Sequence, residues 1–149
     1  MKKTTKITIK SYSGFFCRPG YEDKLVLSLD RISYSLTYND SPLMVPDEKK
    51  PENEKWIHRH SISEKVLVEA IFEFASKNDF FVGDMGILDG EGISLIIEYD
   101  DKTKQEVSAD YGDYIDSEYK NLFKLLQLIS FLIPKDKYRP DYFNNKCPY

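Results

Sequence analysis

The chain has 149 residues, 41% of them hydrophobic and 31% charged, a balance that fits one folded domain able to bury a core without disulfides or structural metals. Its net charge of -4 disfavours a nucleic-acid partner bound through clustered Lys and Arg, and its 2 cysteines, Cys17 and Cys147, are too few for a disulfide framework. No stretch reaches the roughly 18 to 20 apolar residues of a membrane span, and the basic start Met1-Lys2-Lys3 runs into the alternating Ile7-Thr8-Ile9-Lys10, so neither a membrane partner nor a signal peptide is expected. A cytoplasmic location with free thiols follows by default.

In chain order, Ile7 and Ile9 alternate with Thr8 and Lys10 and predict a first strand running to Tyr12. Residues 14–23 form a loop around the turn dipeptide Pro19-Gly20. Leu25, Leu27 and Leu29 mark one face of a second strand, and Ile32, Tyr34, Leu36 and Tyr38 one face of a third. The parity changes across Asp30-Arg31, which predicts a tight reversal or a bulge, with one long bent strand as the alternative. Pro42, Pro46 and Pro51 make residues 39–55 a mobile surface loop. Trp56 to His60 is a short edge strand.

Ser61-Ile62-Ser63-Glu64 has the spacing of a capping box and starts a helix. Leu67, Ala70, Ile71 and Phe74 are its expected core stripe, flanked by Val68, Phe72 and Ala75, and it ends near Lys77-Asn78. Gly83, Gly86, Gly90 and Gly92 crowd the loop that follows. From Gly92 to Tyr111, two alternating runs around Asp100-Asp101-Lys102-Thr103 read as a β-hairpin with one buried face. Asp116 or Ser117 caps a second helix whose stripe is Tyr119, Leu122, Phe123, Leu126, Ile129 and Ile133, stopped by Pro134. Residues 134–149 form a tail rich in Pro, Tyr and Lys.

Short links between strands demand antiparallel neighbours, and strands that alternate apolar with polar have only one covered face. The predicted fold is therefore α+β: a two-layer sandwich with an antiparallel sheet of about five to six strands and two helices on one face, in a single domain over 1–149.

Chemistry-bearing residues are sparse. His58 and His60 sit at i and i+2 on a strand and so share a face, where both imidazoles reach toward one metal. With no third His and no Cys-x-x-Cys, they are weak metal candidates, and no cofactor is expected. Asp84, Asp89 and Glu91 in the glycine-rich loop match no EF-hand or phosphate-loop spacing. Asp100 and Asp101 read as turn residues. Asp110, Asp113 and Asp116 read as helix-start charge. No Gly-x-Ser-x-Gly elbow is present, and no spacing links Cys17 to a histidine.

Two surfaces suggest contact instead. Leu125, Leu128 and Leu132 form a second apolar ridge beside the stripe of the second helix, which the tail or a second copy of the chain must cover; tethering favours the tail. In that tail Tyr138, Arg139, Tyr142 and Phe143 combine rings and cation, a pairing suited to a protein partner or to single-stranded nucleic acid. The 11 tyrosines exceed what a core accommodates, so several are expected on the sheet face away from the helices. No catalytic residue is predicted. The functional expectation is a small non-enzymatic protein that binds another protein, of the immunity or inhibitor type, with a bacterial or phage origin suggested by abundant Lys, Ile, Asn and Tyr. A metal-assisted hydrolase or ligand-binding enzyme built on the histidines and loop acids is the alternative, and nucleic-acid binding by the tail is another.

Overall fold

The computed structural model describes residues 2–12, 21–38, 54–80, 92–110, 119–140 and 143. Strands β1 (Thr4–Tyr12), β2 (Tyr21–Leu27), β3 (Arg31–Tyr38), β4 (Glu54–Arg59), β5 (Gly92–Tyr99) and β6 (Lys104–Asp110) form one 6-stranded sheet in the order β4-β3-β2-β1-β5-β6. Every neighbouring pair is antiparallel. Helices α1 (Ile62–Lys77) and α2 (Lys120–Ser130) complete the α+β fold.

Strand parity decides where the core sits. Ile7 and Ile9, Leu25 and Leu27, Ile32, Tyr34 and Leu36, and Ile93, Leu95 and Ile97 all point to one face and join one buried cluster with Val68, Ile71, Leu122, Leu126 and Ile129 of the helices. Both helices therefore lie on that face. Burying each such side chain stabilises by about 1.5–3 kcal/mol, more than any cap contributes. Thr4 fastens α1 to β1: its N–H donates to Ser76 Oγ at 2.9 Å, and the two hydroxyls are 2.8 Å apart.

The parity change near Asp30 is a reversal: Ser28 N–H donates to Arg31 O at 2.9 Å and β2 returns as β3. Leu29, expected on the strand face, sits instead in this turn and is 53% exposed. The second strand also begins earlier than the sequence suggested, at Tyr21, which brings Asp23 out of the expected loop and into the sheet. The loop at 39–55 lies outside the described residues up to Glu54, where β4 begins as an edge strand.

The start of α1 follows the capping box. Glu64 N–H donates to Ser61 Oγ at 3.2 Å, and Ser61 N–H donates to Glu64 Oε1 at 2.8 Å. Its core face is rotated from the expected stripe. Val68, Ile71, Phe72 and Ala75 are buried, Leu67 and Phe74 are half-buried, and Ala70 is exposed. The buried set has the 3, 4, 7 spacing of a single helical face, and exposing the methyl of Ala70 forfeits little area. For α2 the stripe is as predicted, Tyr119, Leu122, Phe123, Leu126, Ile129 and Ile133 all being buried. The expected caps Asp116 and Ser117 lie outside the described residues; Tyr119 holds the cap position, and its side chain makes no capping hydrogen bond to the helix.

Candidate functional site

His58 and His60 do project from β4 to the same side, their rings 6.5 Å apart and nearly perpendicular. Both spend Nε2 as a donor. His58 Nε2–H faces both Glu64 carboxylate oxygens at 3.1 Å, and His60 Nε2–H donates to Ser28 O at 3.1 Å. With Nε2 protonated, each neutral ring keeps its lone pair on Nδ1. His60 Nδ1 is buried without a hydrogen-bond partner, and no group of three His, Cys, Asp or Glu suited to a metal occurs among the described residues. His58 steadies the capping glutamate, and His60 pins the β4–α1 junction to the β2–β3 turn. Glu64 is held below the usual carboxylate range, first by the Ser61 N–H and further by His58, against the opposing effect of burial. Asp84, Asp89, Glu91, Cys17 and Cys147 lie outside the described residues.

The ridge residues Leu125 and Leu132 are buried, and Leu128 is half-buried against the core. From the tail, Phe143 is buried in the same cluster and Tyr138 packs on it, its ring 5.5 Å from that of Tyr34. Arg139 donates to Ser130 O, the exposed C-terminal turn of α2, at 3.4 Å. The ring of Phe143 is buried and that of Tyr138 is half-buried against the core. Tyr142 lies outside the described residues. Of the tyrosines, Tyr34 and Tyr99 are packed on the helix side, while Tyr12 falls on the far face by register.

Sequence reasoning missed a buried acid. Asp23 is 8% exposed; its Oδ1 accepts from Ser11 N–H at 3.1 Å and Ser11 Oγ–H at 2.6 Å, and its Oδ2 accepts from Tyr34 O–H at 3.1 Å. Its parity with Leu25 and Leu27 was the available signal, a charge in phase with a core stripe.

The far face of the sheet carries the other unexpected arrangement. The strand registers set its residues in four rows, the outermost holding Thr37, Glu22, Tyr12, Gly92 and Asp110. The middle row runs Ile57, Ser33, Val26, Thr8, Ile96, Glu106; Ile57 is 63% exposed. One flanking row runs Lys55, Ser35, Lys24, Lys10, Ser94, Ser108. The other holds Arg59 opposite Arg31 and Lys6 opposite Glu98, with Lys104 beyond. Both described helices lie on the other face; here Thr8 is 4% exposed, Val26, Ser33 and Ile96 are half-buried, and Ile57 is exposed.

Cations dominate this face although the chain is acidic overall. Of its carboxylates, Glu98 is engaged by Lys6 at 3.7 Å and Glu106 by Lys104 at 3.4 Å, while Glu22 and Asp110 fall in the outermost row by register. Arg31 turns to Asp30 at 2.9 Å, which lowers the Asp30 pKa chiefly through that hydrogen bond. Lys10, Lys24, Lys55 and Arg59 form no ion pair with a described residue. Lys10 stands directly across from Lys24, and Arg31 across from Arg59. Like charges directly opposite on neighbouring strands destabilise a sheet. A shallow hollow of about 300 Å³ lies between Lys24 and Lys55, floored by Val26, Ser33, Ser35 and Ile57. No family model, curated protein or solved structure matches this chain.

Proposed function

We propose that the chain acts by contact, as a non-enzymatic protein-binding domain of the immunity or inhibitor type, with the sheet face away from the helices as its recognition surface. The observation that carries this reading is the layout of that face. Ile57, Val26 and Ile96 alternate with Ser33 and Thr8 along a middle row flanked by polar and charged rows, a mixed apolar and polar patch of the kind protein interfaces use. Ile57 in particular leaves a large apolar side chain in water on a flat strand. Six antiparallel strands braced by helices on the opposite side hold these rows rigid, so little ordering entropy opposes docking.

The test is photo-cross-linking. A photoreactive residue at position 57 and another at position 69 on α1, in the opposite layer, are activated in the cells that make the protein. Capture of one discrete protein from position 57 but not from 69 is the expected outcome. Equal capture from both positions, or none from 57, removes the reading.

A further inference from the structure

We infer that the partner meets this face with an acidic surface and seats a carboxylate side chain between Lys24 and Lys55. The inference rests on the face being the recognition surface, and it adds the chemistry of what binds. Lys10 against Lys24 is a cross-strand pair of like charge, a local cost that a neutral residue in either position would remove, whereas Arg31 opposite Arg59 is relieved by Asp30 at 2.9 Å. A sequence that breaks such a rule does so most often where function compensates. Glu98 and Glu106 are taken by Lys6 and Lys104, and Lys10, Lys24 and Lys55 form no ion pair with a described residue. A carboxylate supplied from outside would sit in the hollow, within reach of both lysines and over the methyl groups of Val26 and Ile57.

The same observations favour an acidic protein over a nucleic acid. The rings of Tyr34 and Trp56 stack on each other at 5.7 Å on the helix side and are both buried, so none of these aromatics offers a base a stacking platform on the cationic face. The net charge of -4 opposes a long polyanion, whereas the charge of a local acidic patch is felt only within about 8–10 Å. The mixed apolar and polar middle row also suits a protein surface. A second copy of this chain docked face to face about a two-fold axis would set lysines against lysines.

The experiment uses the full, isotope-labelled chain and two probes, a glutamate octapeptide and an oligothymidylate of similar charge, with amide shifts read by NMR at low salt. The octapeptide is expected to perturb Lys10, Lys24, Ser33, Ser35 and Ile57 and to be released near 1 M salt, where screening acts over about 3 Å. Lys10→Glu/Lys55→Glu is expected to weaken it at least about tenfold, about 1.4 kcal/mol. That variant replaces a like-charge cross-strand pair by an opposite one, so it keeps its fold, checked from its own spectrum. A Lys65→Glu control on α1 binds as the parent does. Tighter binding of oligothymidylate to the same amides, octapeptide shifts elsewhere, or unchanged affinity in the double variant each overturns the inference. Failure here with cross-linking from position 57 intact removes the acidic partner and leaves the recognition surface standing.

Discussion

Asp23 shows what one side chain does inside this sheet. A carboxylate 8% exposed survives burial because Ser11 and Tyr34 supply three donors to it. Removing it strands those donors, so Asp23→Ala is expected to lower unfolding stability by about 2 kcal/mol or more in urea denaturation; a loss below about 0.5 kcal/mol would show that water replaces the carboxylate. Glu64 gives a pH prediction. Its folded pKa lies below its unfolded value, so its stabilisation is complete above about pH 4.3 and disappears as pH falls through the lowered value. Glu64→Gln should cost on the order of 1 kcal/mol at neutral pH and flatten the acid limb of the stability curve; matching acid limbs would contradict the account. His58 and His60 were legible as a pair on one face. Their roles were not, because the partners, Glu64 and Ser28, are decided by how β4 meets α1 and the β2–β3 turn.

At the scale of elements, periodicity carried most of the information. The hairpin of β5 and β6 and the stripe of α2 follow directly from alternation and from spacings of three and four, since each has a single face to bury. α1 was harder because apolar residues surround it: Ile62 and Val66 are exposed while Val68 and Ile71 are buried. Several faces were thus nearly equivalent in sequence, and packing chose among them. Substitution separates the two readings. Ala75→Glu should cost about 3 kcal/mol or more, since the charge enters the core, whereas Ala70→Glu should stay within about 0.5 kcal/mol. Equal costs would mean the face is misplaced.

For the whole molecule, sequence could give the layers but not the strand order, because pairing of β1 with β5 joins segments far apart in the chain. The face away from the helices was equally hidden: Lys10 and Lys24, or Ser33 and Ile57, become neighbours only once the register is known. The tail belongs to this scale too. Truncation after Pro134 removes Tyr138 and Phe143 from the core and should cost about 3–5 kcal/mol and promote association, measured by urea denaturation and light scattering. An equally stable, monodisperse product would show that the tail covers nothing.

The most direct test of recognition through the sheet face away from the helices is the yield of the position-57 cross-link in the parent protein against Lys10→Glu/Lys55→Glu. The account predicts a single cross-linked protein that is lost in the variant while the variant unfolds at the same or higher urea concentration. An undiminished cross-link in a folded variant, or none in the parent, would contradict it.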